Sequence, residues 1–214
     1  MCFIITFVKL NTLKSDFITI SILQMNDVQS FPTGGYLEII IGPMFSGKTT
    51  RLINIYNQFY ETCNIKVINY SGDTRYHSTM LSTHDKVMIP CVFTNRIADV
   101  CDQSRLVDID IVLINEGQFF PDLYETVYEL VEVHKKRVYI CGLDGDFKRQ
   151  KFGTLLDLVP ICDKIVKLFA RCDTCGKDAI CSYRITNDNE QVVIGSDNYV
   201  PLCRACYNSR TATI

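Results

Sequence analysis

The segment GPMFSGKT, residues 42–49, restricts the folds open to this 214-residue chain more than any other stretch. It fits the phosphate-loop pattern of Gly, four free positions and Gly-Lys-Thr, and it follows the largely apolar run YLEIII of residues 36–41. A strand that leads into a Gly-rich turn and then a helix directs backbone N–H groups and the helix dipole at one anion. The pattern therefore predicts a polyphosphate site, with a bare helix-capping turn as the structural alternative.

The residue types of this loop indicate the ligand. Lys48 can reach the β- and γ-phosphates of a nucleotide, and the Thr49 hydroxyl is a ligand for Mg²⁺. The backbone of the loop supplies the N–H groups that surround the phosphates. The predicted nucleotide-binding residues of the loop are Gly42, Pro43, Met44, Phe45, Ser46, Gly47, Lys48 and Thr49.

Strand and helix patterns alternate beyond the loop. Runs rich in Val, Ile and Leu predict strands, and apolar residues spaced by three and four predict helices. Such alternation predicts a parallel sheet covered by helices on both faces, an α/β fold of the phosphate-loop NTPase type. The expected strands are 36–41, 66–70, 87–93, 110–114 and 137–143, the expected helices are 48–62, 95–104 and 123–135, and residues 71–86 are expected to be a long loop.

The carboxyl ends of parallel strands are where ligands bind in such sheets. Asp73, Glu116 and Asp144 follow strand ends, as the phosphate loop does. The long loop of residues 71–86 lies beside the same edge, and long loops near nucleotide sites often act as lids. The sequence thus predicts one site in which carboxylates face the phosphates.

Composition and charge exclude some classes of function. The chain is 47% hydrophobic and 21% charged, as in a globular protein, and its formal net charge is −2. This charge gives no general attraction to nucleic acid, so a small-molecule partner is favoured.

The N-terminal residues 1–34 are interpreted as an extension outside the folded core. Lys9, Lys14 and Asp16 interrupt the apolar residues, so the segment predicts neither a membrane-spanning helix nor a clear signal peptide. Met25 precedes a short polar leader, and translation from Met25 is our hypothesis for the natural start.

Two Cys-x-x-Cys pairs stand out among the eleven cysteines, namely Cys172 with Cys175 and Cys203 with Cys206. Their spacing lets four thiolates share one tetrahedral Zn²⁺, and a closed four-sulfur shell makes that zinc structural. A redox role for either pair is the alternative reading. The pairs predict a small zinc-ribbon-like domain at residues 168–214, behind a phosphate-loop domain at residues 35–167.

The 27 residues between Cys175 and Cys203 form an excursion that zinc would fix at both ends, and we name it the lasso loop. Residues 191–195 predict a short strand, and residues 196–199 predict an exposed turn. An anchored loop of this kind is a candidate lid over a substrate, and a simple hairpin is the structural alternative.

Six separated motifs resemble those of the type II thymidine kinase family in order and spacing. The resemblance covers about residues 35–207. The motifs are GPMFSGKT (42–49), DTRY (73–76), THD (83–85), NEGQFF (115–120), LDGDF (143–147) and the two zinc knuckles.

The resemblance implies transfer of the ATP γ-phosphate to the 5′-hydroxyl of thymidine or deoxyuridine, with Mg²⁺ and one structural Zn²⁺ per subunit. It also implies a homotetramer, with dTTP as a candidate feedback ligand. Neither nucleic acid nor a membrane is an expected partner. Cytoplasm is the expected location, since paired cysteines that bind zinc need reduced thiols; for a viral protein this means the host cytoplasm.

The resemblance also implies roles for individual residues. Glu116 matches the general base, while Lys48 and Arg75 would stabilise charge on the transferred phosphoryl group. The nucleotide side would further include Asp73, Thr74, Asn115, Gly117 and Gln118. The nucleoside side would include Phe119, Leu143, Phe147, Phe152, Val192, Val193, Ile194, Gly195 and Tyr199, with the lasso loop binding the base through its backbone as a substrate-binding lid.

Two departures from the family pattern qualify these expectations. Asn115 stands where most members have Asp, so the Mg²⁺ shell keeps a carbonyl oxygen but loses a charge. Residues 194–199 are also one residue shorter than the common form. The alternatives left open are a nucleic-acid-binding phosphate-loop ATPase with a zinc ribbon, and a nucleotide-binding homologue whose activity Asn115 reduces.

Overall fold

The structure is a computed structural model, and it describes residues 34–72, 79–82, 86–193 and 195–212. The predicted extension of residues 1–34, apart from Gly34, lies outside these ranges. In chain order the strands are β1 (Tyr36–Ile41), β2 (Ile65–Tyr70), β3 (Met80–Ser82), β4 (Met88–Pro90), β5 (Val92–Thr94), β6 (Ile111–Ile114), β7 (Arg137–Gly142), β8 (Lys164–Lys167), β9 (Ala170–Arg171), β10 (Asp178–Ala179), β11 (Cys181–Arg184) and β12 (Tyr199–Leu202).

The helices complete the element order. Those of the α type are α1 (Lys48–Phe59), α2 (Gln103–Leu106), α3 (Leu123–Tyr128) and α4 (Arg204–Thr211). A π-helical turn, Glu129–Val133, continues α3, and 3₁₀ helices are formed by Gly117–Phe119 and Leu155–Ile161. Within the described ranges, no helix is both long enough and apolar enough to cross a bilayer.

The largest sheet among the described residues has six strands, in the order β5-β2-β6-β7-β1-β8. All five strand pairings are parallel; Ile39 of β1, for example, lies opposite Ile140 of β7. Helices cover both faces of the sheet, which confirms the predicted α/β fold with a parallel sheet.

Successive residues of β1 enter two different cores because side chains alternate across a strand. Ile39 packs with Leu123 of α3 on one face, and Ile40 packs with Leu52 of α1 on the other. All four side chains are fully buried. Burial of each contributes about 1.5–3 kcal/mol, so β1 and the phosphate loop behind it are held from both sides.

Glu38 is the buried exception in this apolar strand. Its carboxylate accepts a hydrogen bond from Arg51 of α1 at 2.9 Å, and Lys164 of β8 lies 3.3 Å away. Burial raises the pKa of Glu38, but the hydrogen bond from Arg51 and the charge of Lys164 outweigh it, so the net pKa is lowered. The ion pairs therefore tie α1 and β8 to β1.

Several element boundaries differ from the sequence predictions. The predicted strand 87–93 is two strands, because Pro90 has no N–H for a ladder and ends β4. β4 pairs antiparallel with β3, while β5 joins the main sheet beside β2. The predicted helix 95–104 is wrong for most of its length: α2 begins only after Asp102, whose side chain caps it by accepting from the backbone N–H of Arg105.

Residues 170–212 form a separate small core. The antiparallel pairs β9–β10 and β11–β12, together with α4, enclose Ala179, Leu202 and Tyr207. The predicted boundary between residues 167 and 168 falls at the end of β8. The division into two domains stays a prediction.

Candidate active site

A cleft of about 470 Å³ lies at the carboxyl ends of the parallel strands. The phosphate loop follows β1, Tyr70 ends β2, Glu116 follows β6 and Leu143 follows β7, and all of these line the cleft. Residues of the lasso loop also line the cleft. The phosphate loop and Glu116 thus line one cleft, as expected for ligand sites in such sheets. Asp144, predicted for the same site, instead pairs with Lys167 at 2.8 Å and does not line the cleft, and Asp73 lies outside the described residues.

The phosphate loop depends on two glycines for its path. A Cβ on Gly42 would lie 2.5 Å from the backbone oxygen of Leu168, the residue that follows β8. This close approach leaves no room for a side chain at position 42. Gly47 has φ 80, a left-handed conformation that glycine adopts without strain, and α1 begins at the next residue. The loop can therefore curl tightly and direct its amides toward the N-terminus of α1.

Lys48 is folded over the loop rather than extended into solvent. Its side chain is buried, and its Nζ donates a hydrogen bond to the backbone oxygen of Pro43 at 2.7 Å. A buried ammonium group held at the mouth of an anion site is available to phosphate oxygens at short range, where its charge counts most.

A hydrogen-bond network connects the start of α1 to the ends of β2, β6 and β7. Thr49 donates to Oδ1 of Asn115 at 3.3 Å, and the Asn115 Nδ2 group donates to Oδ1 of Asn69 at 2.8 Å. The Cys141 thiol donates to the same Asn115 oxygen at 3.0 Å. Burial raises the pKa of Cys141 to about 12, so it stays a protonated donor.

This network contains the donor set that a Mg²⁺ ion uses. The Thr49 hydroxyl and the Asn115 carbonyl oxygen are both hard oxygen ligands, and they lie next to each other beside the phosphate loop. The residues present therefore fit Mg²⁺ bound together with nucleotide phosphates. Asn115 is uncharged, so most of the negative charge around a bound Mg²⁺ ion must come from the phosphates.

Glu116 has an unusual backbone conformation, with φ 56 and ψ 45. A non-glycine residue in the left-handed region carries strain of about 1–3 kcal/mol, and such strain concentrates at functional sites. The Gln118 amide donates to Oε2 of Glu116 at 2.6 Å and accepts from the backbone N–H of Leu143 at 3.0 Å. Gln118 thus ties the carboxylate to the neighbouring strand end.

Three aromatic rings form a continuous wall of the cleft. Tyr70 stacks on Phe119 with ring centroids 4.9 Å apart, and Phe152 meets Phe119 edge-to-face at 5.2 Å. Phe119 and Phe152 were predicted for the nucleoside side, whereas Tyr70 was missed. Its strand-end position in a run of apolar residues was the available signal. A flat apolar wall of this kind suits a planar base.

Further residues that line the cleft come from the lasso loop. The Tyr199 hydroxyl donates to the backbone oxygen of Val193 at 3.2 Å. Gln191, which sequence reasoning did not assign to the site, donates to Oδ2 of Asp146 at 2.9 Å. Asp146 lies within the quoted LDGDF motif, but nothing in the sequence indicated that it would bind the lasso loop.

The two sides of the cleft also touch at the phosphate loop. The Met44 N–H donates to Oγ of Ser182, a residue of β11, at 2.9 Å. Ser182 lines the cleft and was another residue that the sequence did not identify. The nucleotide side and the zinc region are thus linked by a direct hydrogen bond.

The four predicted zinc cysteines converge. The Sγ atoms of Cys172, Cys175, Cys203 and Cys206 all lie within 4.8 Å of one another. Burial raises the pKa of Cys172, but hydrogen bonds from neighbouring backbone N–H groups, first that of Cys203, lower it to about 6. Four converging thiols fit a tetrahedral structural Zn²⁺.

The predicted residues of the cleft divide into three groups. Asp73, Thr74, Arg75 and Ile194, with the THD motif of residues 83–85, lie outside the described residues. Gly42, Pro43 and Gly117 shape the backbone near the cleft without lining it. The predicted residues that do line it are Met44, Phe45, Ser46, Gly47, Lys48, Thr49, Asn115, Glu116, Gln118, Phe119, Leu143, Phe147, Phe152, Val192, Val193, Gly195 and Tyr199.

Comparison with known proteins adds the family. The family model described as "Thymidine kinase" matches residues 35–207, which include both the phosphate loop and the four cysteines. The chain belongs to the thymidine kinase family. This confirms the resemblance found in the motifs, and it does not favour a nucleic-acid-binding ATPase.

Individual thymidine kinases match over most of the chain. The enzyme named "Thymidine kinase" from Oryza sativa subsp. japonica is 37% identical over 184 residues, which cover 83% of this chain and 67% of that protein. "Thymidine kinase a" of Arabidopsis thaliana is 37% identical, covering 81% and 75%. The thymidine kinase of Raccoon poxvirus is 40% identical, covering 81% of this chain and 97% of its own.

Proposed function

We propose that this member of the thymidine kinase family transfers the γ-phosphate of ATP to the 5′-hydroxyl of thymidine or deoxyuridine. The observation that carries the proposal is the single cleft that joins a phosphate loop, the Glu116 carboxylate and an aromatic wall. Membership of the family, together with relatives that are named thymidine kinases, supports the same substrate class.

The phosphate side binds ATP through the loop amides, the N-terminus of α1 and the Lys48 ammonium group. Bound Mg²⁺ would neutralise negative charge on the nucleotide phosphates. Thr49 and Asn115 would hold this ion, since their oxygens lie side by side. We assign Asp73 and Arg75 to the same nucleotide side on the family pattern.

Glu116 acts as the general base. As the bond between O5′ and the γ-phosphorus forms, the bond to the β,γ-bridging oxygen breaks, ADP leaves and the hydroxyl proton passes to Glu116. Gln118 fixes the carboxylate for this step by donating to one of its oxygens. The transfer is direct, so no covalent enzyme intermediate is required.

The nucleoside lies between the aromatic wall and the lasso loop. Phe119 and Phe152 offer ring faces and edges to the pyrimidine. The backbone of the lasso loop near Val193 and Gly195 offers hydrogen-bonding groups to its polar edge. Because backbone groups read the base, side chains in that part of the loop are free to vary.

The family pattern supports further proposals about the whole protein. We propose one structural Zn²⁺ at the four cysteines, a homotetrameric assembly, feedback by dTTP and a location in the cytoplasm, which for a viral protein is that of the host. Zinc removal, molecular mass in solution and dTTP inhibition test the first three of these.

The decisive test is ATP-dependent phosphorylation of thymidine, deoxyuridine and deoxycytidine by the purified zinc-loaded protein. Glu116→Gln should lower the rate by about 10²–10⁴-fold, the usual contribution of a general base. Glu125→Gln, an exposed glutamate of α3, is the matched control and should leave the rate unchanged.

Two results would contradict the proposal. Thymidine turnover that survives in Glu116→Gln removes Glu116 as the base. Absence of product from every nucleoside, with ATP still bound, returns the protein to the class of nucleotide-binding homologues without turnover.

A further inference from the structure

Arg184 is a nearly buried arginine to which the sequence gave no role, with 5% of its surface exposed. It is the last residue of β11 and lies opposite Tyr199, the first residue of β12. Residues 185–198 between these strands form the part of the lasso loop that we call the loop tip. Arg184 therefore lies at the point where the chain leaves the β11–β12 pair and enters the loop tip.

The guanidinium group of Arg184 binds the backbone of the loop tip. Nη1 donates to the backbone oxygen of Asp188 at 3.0 Å and also to that of Glu190, and Nη2 donates to the backbone oxygen of Gln191 at 3.0 Å. A planar guanidinium group with five donors suits this task, because it can hold several carbonyl oxygens in one fixed geometry.

The same group also contacts two residues that line the cleft, Tyr199 and Phe147. Nη2 donates to the Tyr199 hydroxyl at 2.5 Å, and that hydroxyl in turn donates to the backbone oxygen of Val193. On its other side the guanidinium carbon lies 3.7 Å from the centre of the Phe147 ring. Arg184 thus connects residues of the loop tip with the segment that follows β7.

The loop tip has little else to define its shape. Its described residues, 185–193 and 195–198, form no strand or helix. Val192 is 46% exposed, so apolar burial contributes little there. Besides those of Arg184, two side-chain hydrogen bonds join the described residues of this segment to the rest of the described chain: that from Gln191 to Asp146 and that from the Tyr199 hydroxyl to the backbone oxygen of Val193. Charge-assisted hydrogen bonds from one buried cation are therefore the main restraint on this wall.

We propose that Arg184 is a positioning residue that holds the loop tip in the conformation that lines the nucleoside side of the cleft. The inference rests on the proposed function for the identity of the nucleoside. The guanidinium group does not line the cleft; it acts through Tyr199 and through the backbone of residues 188–193.

The expected effect on binding follows from the fraction of molecules in which the loop tip has its binding conformation. If loss of the guanidinium group leaves the loop tip in its binding conformation about a tenth of the time, the apparent affinity for the nucleoside falls about tenfold. ATP meets the phosphate loop on the other side of the cleft, so its affinity should not change. The proposal therefore predicts a change in one substrate constant and not the other.

The test compares zinc-loaded Arg184→Gln and Arg184→Lys with the unmodified protein. Arg184→Gln should raise the KM for thymidine by about tenfold or more with an unchanged KM for ATP and a full complement of zinc. Arg184→Lys should recover part of the loss, since an ammonium group keeps the charge but not the planar fork. Arg171→Gln, an exposed arginine in the same small core region, is the matched control and should change neither constant.

A second readout does not depend on any substrate. A glutamate-specific protease should cut the zinc-loaded Arg184→Gln protein after Glu190 at least about fivefold faster than the unmodified protein, because cleavage tracks the open population of the loop. Unchanged cleavage together with an unchanged ratio of the two KM values would overturn the proposal, and so would equal increases in both KM values. If the unmodified protein phosphorylates no nucleoside, the proposed function fails, and the cleavage rates alone decide whether Arg184 holds the loop tip.

Discussion

Two parts of the cleft are held in place by different interactions. We call them the phosphate wall, which is the phosphate loop with β1 and α1, and the loop wall, which is the loop tip of residues 185–198. The phosphate loop lies between β1 and α1, where Ile39, Ile40 and Leu52 are fully buried in the two cores of the sheet. The loop tip lies on a two-stranded ribbon and is fixed by hydrogen bonds from Arg184 and Gln191. The first wall is stable because apolar surface is buried beneath it, whereas the second depends on a few polar contacts and on the cysteine cluster.

This difference matches the ligands proposed for each wall. A triphosphate is bound through charge and backbone amides, so it needs a rigid array that exists before the ligand arrives. A nucleoside must enter, be enclosed and leave again after phosphorylation. A wall with few buried apolar contacts opens at a lower free-energy cost than the sheet does.

Zinc removal should affect the loop wall much more than the phosphate wall, and this is the largest difference that we expect. Chelation, or Cys206→Ser, should abolish the restraint on the lasso loop and raise the KM for thymidine by about tenfold or more, because metal binding and folding of a small zinc module are coupled. The sheet should keep its circular dichroism and its affinity for ATP. Cys162→Ser, a half-buried thiol outside the cluster, is the matched control.

Equal losses of ATP and thymidine affinity on zinc removal would contradict the comparison. They would indicate that the small core of residues 170–212 supports the phosphate loop as well, through contacts such as that of Ser182 with Met44.

Asn115→Asp tests whether residue 115 contributes to Mg²⁺ binding at the phosphate wall. The added carboxylate charge should lower the Mg²⁺ concentration for half-maximal rate by about tenfold, equivalent to about 1.4 kcal/mol, while the KM for thymidine stays the same. Asn115→Ala removes the oxygen and should raise the Mg²⁺ requirement. The measurement is initial rate against free Mg²⁺ for the three proteins.

The same experiment addresses reduced activity in the natural chain. A silent natural protein that Asn115→Asp makes active would identify a nucleotide-binding homologue degraded at its metal site. An identical Mg²⁺ requirement in all three proteins would remove Asn115 from the metal shell.

The smallest expected effect concerns the stability of the phosphate wall. Glu38→Gln keeps the shape of the side chain but removes its charge, and it should lower the free energy of unfolding by about 1 kcal/mol at pH 7. The pKa of Glu38 is lowered in the folded protein from its ordinary value of 4.5. Its contribution is therefore complete above pH 4.5 and is lost as the pH falls through the lower folded-state pKa.

Urea unfolding of the two proteins between pH 7 and pH 3 measures this contribution. The difference between them should shrink toward the acid end. A difference that is constant with pH would show that packing, rather than the charge of Glu38, accounts for it.

Sequence reasoning predicted the phosphate wall well because its signals are local. An apolar strand, a Gly-rich turn and a helix stand next to one another in the chain, so the pattern of residues 36–59 already specified β1 and α1 apart from the C-terminal end of the helix. The convergence of the two Cys-x-x-Cys pairs was equally predictable, because a shared metal ion requires this spacing.

The lasso loop was predicted less well because its contacts are between residues that are distant in sequence. Val192 and Val193 suggested a strand, but carbonyl oxygens of the preceding residues are bound by Arg184 instead of by a neighbouring strand. Arg184 follows three residues of an ordinary short strand, and no local pattern distinguishes it from a surface arginine. Its role depends on contacts that only the tertiary structure brings together, namely the hydrogen bonds to the backbone of residues 188–191 and the contact with the Phe147 ring.

The bond from the Met44 amide to Ser182 has a consequence for hydrogen exchange. An amide already bound to a serine hydroxyl is protected from exchange before any nucleotide arrives. Deuterium uptake at Met44 should therefore report on contact between β11 and the phosphate loop, while uptake at the later loop amides reports on ATP. When uptake in residues 42–49 is resolved amide by amide, it therefore reports on each half of the cleft separately.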